Sequence, residues 1–207
     1  MDALTLRWLG HACFQLIYEG YTVVFDPFAD DYVPGFGRLD AAADLVLCSH
    51  QHADHDAADA IRPLRGHRDP FTVETIETFH DPEGGALRGP NTIHLLTAGD
   101  LRVAHLGDLG CALSEEEKAR LRGLDVLMIP VGGFYTIGPE EAWDLVRDLR
   151  PRVTVPMHYR LGRVGLPAVR ELGDFLALAD GVVRYPTDTI VVDAQTPRQV
   201  AVPTFGK

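Results

Sequence analysis

The chain has 207 residues, 46% of them hydrophobic, which suits one compact α/β domain spanning 1–207 with a substantial core. Its net charge of −11 comes without any basic run, which argues against nucleic acid as a partner, since binding a long polyanion takes clustered Lys and Arg. No apolar run approaches the ~18 residues of a membrane span, and the opening MDALTLRWLGHACF lacks the pattern of a signal peptide, so a cytoplasmic protein with no membrane partner is expected.

LTLRWLG and CFQLIYEG read as strands leading into YTVVFDPF, with Glu19-Gly20 as a hairpin turn. Residues 27–43, rich in Gly, Pro and Asp, read as a loop. DLVLCSH is a short apolar run ending in polar residues, the pattern of a buried strand that delivers side chains at its C-terminal end. Residues 72–80 alternate as a partly exposed strand. TIHLLTAGDLRVAHLGD reads as a second hairpin, turning at Ala98-Gly99-Asp100. Ser114-Glu115-Glu116-Glu117 fits a capping box opening a helix to about Leu121. DVLMIPV and VTVPMH are buried-strand runs. Between them Gly138-Pro139-Glu140-Glu141 opens a helix with Ala142, Trp143, Val146 and Leu149 at helical spacing. Val169, Leu172, Leu176 and Ala179 predict another amphipathic helix over 167–179. The pattern predicts sheets packed on each other and covered by helices. The three cysteines, Cys13, Cys48 and Cys111, are odd in number and widely spaced, which suggests small buried hydrophobes and no disulfide framework.

The run that carries chemistry is Ser49-His50-Gln51-His52-Ala53-Asp54-His55. His50 and His52, two apart, point the same way in an extended segment. Asp54 and His55 follow where the chain is expected to turn into a helix, so one tight loop can serve two neighbouring ions. Three histidines in six residues, with an Asp among them and directly after a buried strand, are poorly explained as an incidental surface loop.

The run resembles the H-x-H-x-D-H signature of the metallo-β-lactamase superfamily. That family carries a later His, an Asp and a last His, each at the end of a core strand. In this chain His80 ends TVETIETFH, Asp108 ends LRVAHLGD and His158 ends VTVPMH. The segments Trp8-Leu9-Gly10-His11-Ala12-Cys13-Phe14, Asp26-Pro27, His80-Asp81, Arg88-Gly89-Pro90-Asn91, His105-Leu106-Gly107-Asp108 and Pro156-Met157-His158-Tyr159 look like one branch. It is the branch of small single-domain metal-dependent hydrolases, with ascorbate-6-phosphate lactonase-like relatives. The resemblance implies an αβ/βα four-layer sandwich, two central mixed sheets flanked by helices. It implies that His50, His52 and His80 hold one divalent transition-metal ion, that Asp54, His55 and His158 hold a second, and that Asp108 bridges them. Asp54 and Asp108 are then the catalytic carboxylates. Zinc is the expected metal; manganese, iron, cobalt and nickel also suit imidazole and carboxylate ligands. Activated water then attacks an ester, lactone or phosphoester of a small metabolite, and no Ser or Cys nucleophile is needed.

Other residues stay open at this point. His11 either lines the site or is a hydrogen-bonded histidine at a strand end. Asp26 either orients a ligand histidine or starts an Asp-Pro turn. His105, on the strand leading to Asp108, either supports the site or is structural. Tyr135 and Tyr159 either contact substrate or stand at the rim. His67 and His94 read as solvated or structural. Phosphodiesterase or nuclease-type action and a non-catalytic metal-binding sensor are the alternatives, the first opposed by the acidic charge and the second by the complete ligand set.

Overall fold

The structure, a computed structural model, describes residues 3–205; the outermost residues of the expected 1–207 domain, 1–2 and 206–207, lie outside the described ones. In chain order the strands are β1 (Leu4–Gly10), β2 (Cys13–Tyr18), β3 (Tyr21–Phe25), β4 (Ala42–Ala43), β5 (Leu45–Leu47), β6 (Arg62–Pro63), β7 (Thr72–Phe79), β8 (Pro90–Ala98) and β9 (Leu101–His105). After helix α1 (Glu115–Arg120) come β10 (Val126–Pro130), α2 (Pro139–Leu149), β11 (Val153–Met157), α3 (Leu172–Leu176), β12 (Val182–Arg184), β13 (Thr189–Val192) and β14 (Gln199–Val202).

The strands form two mixed sheets, ordered β13-β1-β2-β3-β5 and β12-β14-β11-β10-β9-β8-β7, while β4 and β6 pair separately. The first sheet grows from local signals. Leu4, Leu6 and Trp8 of β1 are buried while Arg7 points out, the period-2 pattern of a strand. Glu19 and Gly20 both have positive φ, the two-residue turn whose twist matches a hairpin. In the second sheet β10 and β11 are buried along their whole length and run parallel, as strands covered on both faces do. Helices α1, α2 and α3 all lie in connections of this sheet, and the Ser114–Glu117 capping box opens α1. The sheets meet in one continuous hydrophobic core. Phe25 of β3 stacks on His105 of β9 at 5.1 Å between ring centroids, tying them face to face. The result is an α/β sandwich of two mixed sheets with sparse helical cover, the helices having 6, 11 and 5 residues.

The expected helix over 167–179 is a correction. Only Leu172–Leu176 is helical. The amide of Arg170 donates to Gly132 O, and Arg160 exchanges backbone bonds with Arg170 and Leu172, so these groups are drawn across the loop and cannot close helical turns. Strands β12, β13 and β14 had no counterpart in the sequence reading. β13 lies antiparallel on β1, and β14 fills the place between β11 and β12.

Strands β1, β3 and β5 run one way in the first sheet, and β7, β9 and β11 run together in the second. His11, Asp26, His50, His80, Asp108 and His158 each follow the C-terminal end of one of these strands within three residues. One edge of the sandwich therefore collects them.

Candidate metal centre

The loop after β5 is a tight turn. The amides of His55 and Asp56 both donate to His52 O, at 2.8 and 2.9 Å. The helix expected from Asp54 onward stops after this turn, because Ala29 N donates to Ala53 O and Ala57 N donates to Pro27 O. Only a short 3₁₀ turn, Ala58–Ala60, follows. The loop thus stays bent, and His50, His52, Asp54 and His55 reach the same edge.

Two donor groups result. One nitrogen each of His50, His52 and His80 lie within 4.8 Å of one another. So do donor atoms of Asp54, His55, His158 and His11. His50, His55 and Asp108 form a third set that joins the two. Asp108 Oδ1 lies 3.2 Å from His55 Nε2, and Asp108 Oδ2 lies 3.1 Å from both His80 Nε2 and His158 Nε2.

The outward nitrogens are fixed by what holds the inward ones. Asp26 Oδ2 accepts from Ser49 Oγ at 2.6 Å and from His55 Nδ1 at 2.8 Å, and its Oδ1 accepts from Ser49 N at 2.7 Å. Since the Ser49 hydroxyl proton goes to Asp26, His50 Nδ1 must be the donor in its 2.9 Å contact with Ser49 Oγ. His80 Nδ1 donates to Tyr135 O at 3.0 Å. Each of these imidazoles therefore turns Nε2 toward the cluster, as ligand histidines do when the other nitrogen is engaged. Asp108 is set by its amide, which donates to Asn91 Oδ1 at 2.8 Å; Asn91 itself donates to Thr78 Oγ1 and Leu106 O.

The buried atoms His50 Nε2, His55 Nε2, His158 Nε2 and Asp108 Oδ1 have no hydrogen-bond partner. Their contacts at 3.1–3.2 Å are close in distance but not aligned as donor and acceptor. A buried polar atom left unpaired costs ~1–3 kcal/mol, so several converging on one place call for a shared partner. Imidazole nitrogens and carboxylate oxygens in this arrangement fit divalent transition-metal ions.

The charges agree. Burial, and then the neighbouring His55, hold His50 down to about 3, so its ring is neutral. Burial pushes Asp54 and Asp108 up, but adjacent histidines outweigh it and keep both carboxyls well below their usual range. Two histidines go the other way: burial lowers both, yet Asp108 raises His80 above its ordinary value, and Asp108 and Asp26 together raise His55 well above it.

Sequence comparison gives the family. The profile of the beta-lactamase superfamily domain matches residues 5–158. A UPF0173 protein of Pyrococcus furiosus is 34% identical, the match covering 75% of this chain and 83% of that relative. A UPF0173 metal-dependent hydrolase of Methanoculleus marisnigri is 30% identical over 81% of this chain and 84% of its own. The chain belongs to the metallo-β-lactamase superfamily. It is a metal-dependent hydrolase of the small-domain branch. A crystal structure from Thermotoga maritima, of a protein named as a Zn-dependent hydrolase of the superfamily, superposes with a TM-score of 0.75 at 31% identity, covering 97% of this chain and 98% of that one.

Within this metallo-β-lactamase domain the other residues separate. His11 sits on the β1–β2 turn, wholly buried, and its Nε2 lies 3.3 Å from Asp54 Oδ2. Burial, then the neighbouring His158, hold it down to about 4, which leaves a neutral ring whose Nδ1 has no partner. Asp26 is held down to about 2: burial opposes this, but His105, His55 and Ser49 outweigh it. His105 reaches no donor of the cluster. Its Nε2 donates to Ala12 O at 2.9 Å, and its Nδ1 accepts from Gly107 N and lies 3.9 Å from Asp26. Tyr135 offers its carbonyl to His80, and its ring lines the cleft above the cluster. Both alternatives left open for Tyr159, substrate contact and the rim, are corrected: its ring packs on Trp8 at 5.5 Å between centroids, in the core, and its hydroxyl is buried there. His94 Nε2 donates to Cys48 O at 3.1 Å, and His67 pairs with Asp44 at the surface. Burial first, then Asp26, push the Cys48 thiol up to about 12, and burial raises Cys13 and Cys111 as well, so none is a ready nucleophile. Ser49 and Asn91 are the functional neighbours that sequence reasoning missed.

The cleft has a volume of about 420 Å³ and is lined by His52, Asp54, His80, Asp108, Arg88 and Tyr135, among others. A slightly larger cleft of about 480 Å³, beside Trp143 and Arg198, holds no donor group and is set aside on chemical grounds.

Proposed function

We propose that the chain hydrolyses an ester, lactone or phosphoester bond of a small metabolite, using two divalent metal ions held side by side. The observation that carries this reading is the pair of donor groups, His50–His52–His80 and Asp54–His55–His158, on either side of Asp108, with ring nitrogens unpartnered in the protein. Zinc suits this set, and manganese, iron, cobalt and nickel are admitted by the same ligands. When bound, such ions supply Lewis acidity and lower the pKa of water.

The chain's own residues do the rest. Asp26, Ser49 and the Tyr135 carbonyl hold His55, His50 and His80 in one orientation. Asp54 and Asp108 offset the positive charge, and both line the cleft, where Asp54 can take a proton from the attacking water. The Tyr135 side chain, on the same wall, can donate to the oxygen that gains negative charge. With a net charge of −11, a small-molecule substrate is favoured over nucleic acid, and a cytoplasmic setting suits the unpaired cysteines.

Elemental analysis of the purified protein tests the first half. Near two equivalents of metal per chain are expected, largely lost in a His52→Ala, Asp108→Ala double variant. No metal in the wild type, with no uptake from added zinc or manganese, overturns the reading. A panel of esters, lactones and phosphodiesters tests the second half: a metal-loaded, folded protein that cleaves none of them removes the proposed bond classes.

A further inference from the structure

The cleft has a cation on its wall that the chemistry above does not use. We infer that Arg88 forms a subsite for a second anionic group of the substrate, a carboxylate or phosphoryl group a few atoms from the scissile bond. The inference rests on the proposed metal-assisted hydrolysis and names its substrate class.

Arg88 lines the same cleft as His52, His80 and Asp108. Its guanidinium carbon stands 5.7 Å over the ring of Tyr135, within cation–π range. In a chain with 30 acidic and 19 basic residues most neighbours would supply a carboxylate, and Arg7, Arg152, Arg160 and Arg170 each have one. Among the described residues Arg88 has none: Glu77 and Asp56 line the recess on its other side, but neither forms an ion pair with it. The Arg88 guanidinium, half-buried beside a metal-binding cluster, thus has no anion of its own. Two divalent ions, with Asp54 and Asp108 as the carboxylates on the cleft wall, would give the cleft a surplus of positive charge. A ligand that brings negative charge relieves it.

The backbone behind Arg88 is unusually well held. Asp81 Oδ1 accepts the amides of Glu83 and Gly85 at 2.8 and 3.0 Å, and its Oδ2 accepts those of Leu87 and Arg88 at 3.0 and 2.7 Å. Burial pushes the Asp81 carboxyl up, but these four donors outweigh it and keep it ionised. His80 N in turn donates to Gly89 O at 3.1 Å. One short loop thus fixes Arg88 relative to His80, so the anion subsite and the cluster keep a set spacing. The planar fork of an arginine suits two-point binding of a carboxylate or phosphoryl group, which a lysine would not reproduce.

The test uses zinc-loaded protein and calorimetric binding of two small acids, succinate and butyrate. One carboxylate of either can sit on the cluster; only succinate has a second for Arg88. The wild type is expected to bind succinate about tenfold more tightly or better, which corresponds to one charge-assisted contact. In R88Q the ratio of the two affinities is expected to fall near one, and in R88K to lie between. The ratio within each protein is the readout, so a general change in the site cancels. Equal affinities in the wild type, or a preference that survives R88Q, overturn the inference. Binding of neither acid, with metal present by elemental analysis, also overturns it. Absence of metal in the wild type is instead a failure of the underlying metal reading. Repeating the measurement with 3-phosphonopropionate tells whether the subsite favours a phosphoryl group over a carboxylate.

Discussion

An imidazole can lend one nitrogen to a metal only if the other keeps its proton and its direction. Ser49, Asp26 and the Tyr135 carbonyl impose that on His50, His55 and His80. Asp26 does most, since it also takes both protons of Ser49. Asp26→Asn is therefore expected to weaken metal binding by roughly 10–100-fold, the usual cost of removing such a support. Chelator competition measures it, with circular dichroism to confirm folding; unchanged affinity in a folded variant removes the role. At this scale the sequence was uneven as a guide. Asp26 was readable as a candidate because it ends a buried strand before Pro27. The roles of Ser49, Asn91 and a backbone carbonyl were not, because each depends on a contact made across the fold: Ser49 with Asp26, Asn91 with Asp108 and the Tyr135 carbonyl with His80. Tyr159 shows the opposite error: it neighbours His158 in sequence, but the chain leaves the strand at His158, where φ is +54, and the Tyr159 ring packs on Trp8 in the core.

At the scale of elements, the cluster depends on strand ends that approach each other very closely. Gly107, between β9 and Asp108, has φ +56, and a Cβ there would lie 2.3 Å from Asn91 Oδ1 and 2.4 Å from Ser49 Cβ. Those are the residues that set Asp108 and His50. Gly107→Ala is expected to cost about 2–4 kcal/mol from strained backbone and overpacking together, and to loosen metal binding as well. Thermal melting and metal content of the variant measure both; a wild-type melt would mean the strand ends shift freely. Most of the strands that carry donors were legible because each ends an apolar run with a polar residue, and β7 was legible by its alternation. The segment 167–179 was not, because apolar spacing alone cannot show that Gly132 and Arg160 claim its backbone. The short strands β12 and β13, partly exposed, gave too little pattern to be read.

For the whole molecule, the metal and the proton compete for one place. His55 is buried between Asp108 and Asp26, which raise it well above its ordinary 6.5 against the opposing effect of burial. Without metal it carries a proton at neutral pH. Because the folded value is raised, its contribution to stability is complete below the unfolded pKa of about 6.5 and is lost as pH rises through the folded value. Metal uptake must expel that proton, so apparent metal affinity is expected to rise between pH 6 and 8, with proton release into the buffer. Calorimetry in buffers of different ionisation enthalpy measures the release. A flat affinity with no proton released would show His55 to be neutral already.

The pairing of β13 on β1, and of β14 on β11, has a consequence for how the molecule is made. A chain growing from its N-terminus has every proposed metal donor once His158 is added. Yet the outer edge of β1 is bare until Thr189–Val192 arrives, and that of β11 until Gln199–Val202 arrives. Readiness for metal and protection from other chains are thus separated in time, by a few seconds at about 5–20 residues per second. During that interval the nascent protein offers two open strand edges to its neighbours on the ribosome, so premature release at this stage would favour clumping over loss of the donor cluster.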